Sequence, residues 1–265
     1  MYLVSAHQMQ KMDHQTITEF GIPGSVLMET AGRGAVSFMH QTWPGLETQR
    51  IAVLAGRGNN GGDGAVMARC LLEKKIDVHL FLLSTIDRVK GDARQNLNLF
   101  QKMCQARGEN RITEIPDETG LFRHRQQIVH HDLFVDAIFG TGLNADVKGH
   151  YKEAIDLLNA TGRPVFSVDI PSGLNADTGQ PMGVAVKAHA TATFAFAKTG
   201  HILFPGNRYT GNLNIVDIGI PGFIAEQAGL CLSLMEKNDI ADLLPARAFD
   251  AHKGRFGHLL VIAGS

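Results

Sequence analysis

Residues 51–64 read Ile-Ala-Val-Leu-Ala-Gly-Arg-Gly-Asn-Asn-Gly-Gly-Asp-Gly, an apolar run followed at once by a glycine-dense segment. The pattern predicts a strand over Ile51 to Leu54, a turn within residues 55–64 and a helix from Asp63 to Lys74. Glycines in such a turn permit positive φ values and let a ligand approach backbone N–H groups. The segment therefore indicates a nucleotide-binding turn between a strand and a helix.

Apolar runs of strand length alternate with helical periodicity on both sides of this segment. Two helices are predicted first, over Ala6 to about Ile17 and Ser25 to about His40. Continuous apolar strands separated by amphipathic helices indicate a parallel sheet covered on both faces. We therefore expect an α/β fold, a three-layer α/β/α Rossmann-like domain with a mainly parallel sheet and two N-terminal helices. The later strands are predicted at Val78 to Leu83, Leu133 to Ile138, Val165 to Ile170, Ala190 to Ala197 and Leu213 to Ile218, with helices at Gly91 to Ala106 and Lys152 to Ala160.

The alternating pattern stops near Pro221. We expect a first domain over residues 1–225, a helix and linker over 226–250, and the first strand of a second domain within 251–265. That strand, Leu259 to Ala263, has no sheet of its own in the sequence. Because an unpaired apolar edge is prone to association, it is expected to be disordered or paired with another chain.

The composition favours a small-molecule partner. The chain carries 25 Lys and Arg against 26 Asp and Glu, so no net charge attracts nucleic acid or an anionic membrane. Three widely spaced cysteines predict neither a disulfide framework nor a structural zinc site. Residues 1–12 do not resemble a signal peptide, and no run approaches the roughly 18 apolar residues of a membrane span. A cytoplasmic location is expected.

The glycine segment satisfies the GxGxxG fingerprint of dinucleotide-binding turns, but by itself that match is weak. The next strand ends Leu82-Leu-Ser-Thr85, without the acidic residue that would hold a ribose. A phosphate-binding Walker A loop is excluded because Gly62 and Asp63 stand where Lys and Ser or Thr are required. An ordinary NAD-dependent dehydrogenase is therefore disfavoured. The unusual feature is a set of polar side chains inside the turn: Asn59, Asn60 and Asp63.

Three further segments place polar side chains where predicted strands end. Asp136 lies inside an apolar strand, where an unpartnered carboxylate would be costly. Asp169 and Ser172 follow the next strand, and Lys198 follows the apolar run Phe194 to Ala197. The carboxyl ends of parallel strands share one rim where ligands bind. In the common order, with the first and fourth strands adjacent, Asn60 and Asp136 flank the switch point of the sheet.

In combination these motifs closely resemble the NAD(P)H-hydrate epimerases, over about His7 to Gly222. The resemblance rests on Asn59-Asn-Gly-Gly-Asp-Gly64, Val135-Asp-Ala-Ile-Phe-Gly-Thr-Gly142, Asp169-Ile-Pro-Ser-Gly173, Lys198 and Leu27-Met-Glu-Thr-Ala-Gly32. The later His252-Lys-Gly-Arg-Phe-Gly-His-Leu-Leu-Val-Ile-Ala-Gly264 is similar to the start of an ADP/ATP-dependent NAD(P)H-hydrate dehydratase. The resemblance thus implies the epimerase half of a bifunctional repair enzyme, without dehydratase activity in this chain.

The resemblance implies a substrate, a cation and a set of site residues. The substrates are the R and S epimers of NADH or NADPH hydrated at C6 of the nicotinamide ring (NADHX and NADPHX). Asp136 and Lys198 are the implied acid–base pair, and a potassium ion is implied at Asn60, Asp136 and Ser172. A carboxylate that ligates a cation is a poor base, so proton transfer by Lys198, Asp169 or a water is an open alternative. The residues implied to bind substrate are Asn59, Asn60, Gly61, Gly62, Asp63, Gly140, Thr141, Gly142, Leu143, Asn144, Ala145, Asp146 and Asp169.

A second hypothesis is a non-catalytic module of the same fold that binds a nucleotide or a protein. The combined presence of Asn60, Asp136, Asp169 and Lys198 disfavours it, because a pure binder needs no cation site with a lysine beside it. The two N-terminal helices offer a surface for a possible homodimer.

Overall fold

A computed structural model describes residues 1–241, 249 and 260–261. Residues 2–232 form one compact unit that contains the predicted α/β domain. The described part of a second unit includes one short helix, α10 (Lys237–Ala241). Most of the strand predicted at Leu259 to Ala263, and the end of the helix and linker predicted to residue 250, lie outside the described residues.

The strands and helices of the first unit alternate along most of its length. The strands are β1 (Leu3–Val4), β2 (Arg50–Ala55), β3 (Asp77–Leu82), β4 (Ile112–Glu114), β5 (Leu133–Ala137), β6 (Val165–Val168), β7 (Ala190–Phe194), β8 (Ala197–Lys198) and β9 (Asn212–Val216). The helices are α1 (Ala6–His14), which continues as a π-helix (Gln15–Phe20), α2 (Gly24–Thr42), α3 (Asn59–Glu73), α4 (Gly91–Ala106), α5 (Glu118–Val129), α6 (Gly149–Ala160), α7 (Thr199–Ile202), α8 (Asn207–Thr210) and α9 (Gly222–Gln227). Single 3-10 turns occupy Leu46–Thr48 and Ile86–Arg88.

Seven of these strands form an all-parallel sheet in the order β4-β3-β2-β5-β6-β7-β9. Strand β2 shows why both faces are covered: Ile51, Val53 and Ala55 join a core with α2, α3 and α4. Ala52 and Leu54 point the opposite way, into a core with α5 and α6. Alternate residues of one strand thus enter two cores. The predicted three-layer α/β/α fold is confirmed.

The predicted strand order also holds, although one strand was missed. Strand β5 was predicted as the third strand, but β4 precedes it and makes it the fourth strand of the sheet. It pairs with β2, with Leu54 opposite Asp136. Strand β4 escapes prediction because it is a three-residue edge strand whose residues are half-buried or exposed. Helix α5 was missed with it.

Three predictions, two on the glycine segment and one on a later strand, are wrong. Helix α3 begins at Asn59, not near Asp63, so Asn59 and Asn60 lie on its first turn and Asp63 follows on the second. None of the glycines of residues 56–64, all within the described part of the chain, has a positive φ. The predicted strand from Ala190 to Ala197 divides at Ala195, whose φ is 57°. Its last part, β8, pairs with β1 in a separate two-stranded sheet.

Candidate functional site

A cavity of about 650 Å³ opens where strands β2, β5, β6 and β7 end. Its walls are the first turn of α3, the loop Gly140 to Asn144, the strand-end residues Asp169 and Lys198, and the N-terminal helices α1 and α2. Cavities of this size hold small molecules, and the carboxyl edge of a parallel sheet is where such ligands bind.

The first turn of α3 offers backbone donors to the cavity. The first N–H groups of an α-helix lack intrahelical partners and favour anionic groups. The glycines bring this turn against the sheet: a Cβ on Gly61 would collide with the Gly56 carbonyl, and one on Gly64 would lie 2.6 Å from Cβ of Ala137. Close packing, rather than an unusual φ, is the reason for these glycines.

A buried ion pair closes the floor of the cavity. The Lys198 side chain is 1% exposed, and its Nζ donates to Oδ1 of Asp169 at 2.7 Å. The same ammonium donates to Oγ1 of Thr193 at 2.8 Å and to the Phe194 carbonyl at 3.2 Å. Oδ2 of Asp169 accepts from the backbone N–H of Thr141 at 3.2 Å. Burial alone would raise the pKa of Asp169, but Lys198 outweighs it and holds that pKa below its usual value.

His201 fixes the backbone of this pair. Its Nδ1 accepts from the Lys198 backbone N–H at 3.0 Å, so the ring proton resides on Nε2 and is donated to the Asp169 carbonyl at 3.0 Å. Burial lowers the pKa of His201 to about 4, so the ring is neutral at pH 7. The conformation of Asp169 needs such support because its φ is 65°, in the left-handed region.

Asp136 lies beneath the cavity and is fully buried. Its Oδ2 accepts from the Ser167 hydroxyl and the Ser172 N–H, both at 2.8 Å, and Oδ1 accepts from the Ile138 N–H at 3.4 Å. Burial raises the pKa of Asp136, and the hydrogen bonds from Ser172 and Ser167 oppose that rise. The Ser172 hydroxyl in turn accepts from the N–H of Phe139 at 2.9 Å and donates to its carbonyl at 3.1 Å. Asp136 and Ser172 thereby fix the loop that follows β5, which contains Gly140, and the loop that follows β6, which contains Gly173.

The Asn60 side chain is buried, yet neither amide atom has a hydrogen-bond partner among the described residues. It lies against the Gly140 loop, since a Cβ on Gly140 would be 3.4 Å from Cγ of Asn60. Buried amides are almost always hydrogen-bonded, so this one marks a place for a ligand, water or ion.

Besides Asp169, the carboxyl groups of Asp13, Asp63 and Asp92 line the cavity. Burial raises the pKa of Asp63 well above its usual range, with Asp169 and Asp13 adding to the shift and Lys198 opposing it. Burial also raises the pKa of Asp13 to about 6, while Lys198 lowers it and Asp169 raises it further. The cavity therefore combines one ionised pair with two carboxyl groups that burial drives toward the neutral form.

The structure brings most of the predicted site residues together. Of the described residues, those predicted and lining the cavity are Asn59, Asn60, Asp63, Gly140, Thr141, Gly142, Leu143, Asn144, Asp169 and Lys198. Those predicted but not lining it are Gly61, Gly62, Asp136, Ala145, Asp146 and Ser172.

Several cavity residues were missed in the sequence, chiefly on α1. Met9, Gln10 and Asp13 line the cavity, as do Arg57 and Tyr151. Asp13 carries a recognisable signal: it lies four residues after buried Met9, on the inward face of an amphipathic helix. A carboxylate at such a position is unusual enough to indicate a site.

Comparison with known proteins shows the family of this chain. The model of the family described as "YjeF-related protein N-terminus" matches residues 24–200. The protein named "NAD(P)H-hydrate epimerase" of Weissella koreensis is 36% identical over 217 residues, covering 82% of this chain and 91% of its own length. The "Bifunctional NAD(P)H-hydrate repair enzyme Nnr" of Moorella thermoacetica is 38% identical over 266 residues, 100% of this chain and 49% of its own length. The chain thus spans about half the length of the bifunctional relatives it matches.

A solved structure shows the same fold. The "Crystal structure of yeast ynu0, YNL200c" matches with a TM-score of 0.72 and 20% identity, covering 90% of this chain and 98% of the yeast chain. Among the described residues, no helix is both long and apolar enough to cross a membrane. By the family match and its relatives, this chain belongs to the family of YjeF-related protein N-termini, which includes proteins named NAD(P)H-hydrate epimerase.

Proposed function

We propose that this chain is an isomerase that interconverts the R and S epimers of hydrated NADH and NADPH. The observation that carries the proposal is the meeting, in one cavity, of a helix N-terminus, the Gly140 loop and a buried Lys198–Asp169 pair. Relatives that the chain covers over most of their length are named for this activity. The non-catalytic module remains the competing hypothesis.

Each part of the cavity suits a part of the proposed substrate. The N–H groups at the start of α3 and the Gly140 loop suit the pyrophosphate, since both offer backbone donors to an anion. The carboxyl groups and Lys198 suit the hydrated nicotinamide, where protons must move. Epimerisation at C6 requires either cleavage of the C–O bond or opening of the ring, and both routes move a proton at the C6 oxygen.

A potassium ion at Asn60, Asp136 and Ser172 is part of this proposal. The three side chains supply amide, carboxylate and hydroxyl oxygens, the hard ligands that an alkali cation prefers. The unpartnered amide of Asn60, judged within the described residues, supports a ligand there. When bound, the ion would supply positive charge beside the Gly140 loop; Asp136 would hold it and orient the loops instead of exchanging protons.

The experiment incubates the purified chain with the R epimer of hydrated NADPH and follows the epimer ratio by chromatography. Heat-denatured protein measures spontaneous epimerisation. A ratio that changes no faster than in that control, at substrate well above micromolar concentration, contradicts the proposal. Tight dinucleotide binding by calorimetry without turnover would favour the non-catalytic module.

Two wider properties belong to the same proposal. Fusion to a dehydratase domain is suggested by the bifunctional relatives, which are about twice as long as this chain. A cytoplasmic location and a homodimer stay predictions; fractionation and size-exclusion chromatography with light scattering test them.

A further inference from the structure

Asp13 occupies a position in the cavity that packing alone does not explain. A capping box fixes the start of its helix: the Ser5 hydroxyl accepts from the Gln8 N–H at 3.1 Å, and Gln8 Oε1 accepts from the Ser5 N–H at 2.9 Å. The inward face then directs Met9 and Asp13 to the cavity. Oδ1 of Asp13 is buried and has no hydrogen-bond partner within the described residues. A buried carboxyl oxygen without a partner calls for a ligand or a proton.

Two other charged groups of the cavity, Lys198 and Asp169, are already engaged with each other and with neighbouring groups. All three ammonium protons of Lys198 have acceptors, in Asp169, Thr193 and Phe194. Asp169 is the counter-ion of that lysine and also holds the Thr141 N–H. A proton donated by either group would break this buried network. Lys198 and Asp169 are therefore better suited to fixing the loops and the substrate than to exchanging protons.

Asp63 and Asp13 are cavity carboxyl groups whose pKa the fold raises, and of these two only Asp13 has a buried side-chain oxygen without a hydrogen-bond partner among the described residues. Burial raises the pKa of Asp63 well above its usual range, which favours its neutral form. Burial raises that of Asp13 only to about 6. A group whose pKa lies near the working pH can both give and take a proton in one turnover. The groups that face Asp13 are Asp63 from α3, Asp169 after β6 and Lys198 from β8.

We propose that Asp13 is the acid–base residue of the epimerisation, a role that rests on the proposed function. The Asp13 carboxyl gives its proton to the C6 hydroxyl oxygen as the C6–O bond breaks. The bonding pair leaves on that oxygen as water, and the N1 lone pair forms the N1=C6 bond. Water then adds to the other face of C6, the π electrons return to N1, and the Asp13 carboxylate takes the excess proton. Nothing is oxidised or reduced over the cycle.

The test compares Asp13→Asn, Asp13→Glu and the control Lys11→Gln. Lys11 lies on the same helix, is exposed and does not line the cavity. Initial rates of epimerisation are measured from pH 5 to 8 with the spontaneous rate subtracted. Asp13→Asn should lower kcat about 100-fold or more, because acid–base groups contribute about 10²–10⁴-fold. KM should change only a few-fold, Asp13→Glu should recover part of the rate, and Lys11→Gln should match the wild type.

The pH profile separates proton transfer from a structural role. For the wild type, kcat/KM should fall as pH rises through about 6, because the reaction starts from protonated Asp13. This fall of kcat/KM with rising pH should be absent in Asp13→Asn. In the wild type, the ¹³C carboxyl resonance of Asp13 should titrate at the same pH. A folded Asp13→Asn with wild-type rate, or with an unchanged fall of kcat/KM, overturns the role of Asp13 alone. A wild-type chain without epimerase activity overturns the proposed function and this role together.

Discussion

Replacement of Lys198 by methionine tests whether the pair with Asp169 is truly desolvated. Methionine keeps an apolar stem of similar shape but removes the ammonium group. Asp169 would then keep only a long hydrogen bond from Thr193 at 3.4 Å and one from the Thr141 N–H at 3.2 Å. Removal of one partner of a buried ion pair costs about 3–5 kcal/mol, because the other charge stays buried without compensation. At about 2–4 °C per kcal/mol, the midpoint of thermal unfolding (Tm) should fall by about 6–20 °C.

The free energy of unfolding is measured by urea titration and the Tm by heating, both followed by far-ultraviolet circular dichroism at pH 7. Lys152→Met is the matched control, since Lys152 donates to Asp156 at 2.6 Å but both side chains are about half exposed. That surface pair should be worth only about 0.3–0.5 kcal/mol. The double variant with Asp169→Asn should be more stable than additivity predicts, by about 0.5–3 kcal/mol, because it removes the unpaired charge. Asparagine is chosen because it tolerates the positive φ of Asp169.

Two results would refute this reasoning. One is a loss below about 1 kcal/mol for Lys198→Met, comparable with the control. The other is strict additivity in the double variant. The pH dependence offers a further check, because the pKa of Asp169 is lowered in the fold. The stabilisation from its charge is present above the unfolded pKa of about 3.9 and is lost as pH falls through the lower folded value.

Three more perturbations test the glycine wall, the cation site and the titration of Asp13. Gly61→Ala should destabilise the chain by about 1–3 kcal/mol in urea, since its Cβ meets the Gly56 carbonyl, whereas Gly58→Ala, with no atom within 4 Å, should change stability little. Equal losses would contradict this packing. Potassium at 100 times its Kd should stabilise the wild type by about 2.7 kcal/mol and so raise its melting temperature, but it should not stabilise Asn60→Ala. Stabilisation of both proteins would exclude Asn60 as a ligand. Because the fold raises the pKa of Asp13 to about 6, the native state holds a proton that the unfolded state releases near pH 4. Wild-type stability relative to Asp13→Asn should therefore fall by on the order of 2 kcal/mol as pH rises from 4 to 6 in urea titrations, and a flat difference would contradict the burial of this carboxyl.

The fold was largely predictable because its central strands are buried on both faces. Runs such as Ile51 to Leu54 and Leu133 to Ile138 remain apolar at every position except Asp136, which is a pattern that parallel sheets require. The missed elements lack that signal. Strand β4 is an edge strand of three residues, and β1 and β8 have two residues each that pair across nearly the whole domain. No local sequence pattern predicts the pairing of such short, distant segments.

The site residues that lie at the carboxyl ends of strands were predictable from the sequence. Asn60, Asp169 and Lys198 could be found because topology brings the carboxyl ends of parallel strands to one edge. The role of the glycines could not be inferred correctly, because a helical glycine that packs against a carbonyl looks the same in sequence as a glycine with positive φ. Asp13 was missed because its meaning depends on long-range packing of α1 against the cavity, although its place on an inward face was visible.

Burial is the main reason why the Asp13 carboxyl can hold a proton up to about pH 6. Asp169 and Lys198 pair with each other, and Lys198 opposes but does not cancel the rise that burial causes in the pKa of Asp13. In the proposed complex, the two phosphates of the dinucleotide add negative charge to the same cavity. Like charges favour the neutral form of a carboxyl group. The phosphates of the bound substrate would therefore favour the protonated form of Asp13, and the proposed potassium ion beside the Gly140 loop would oppose that effect.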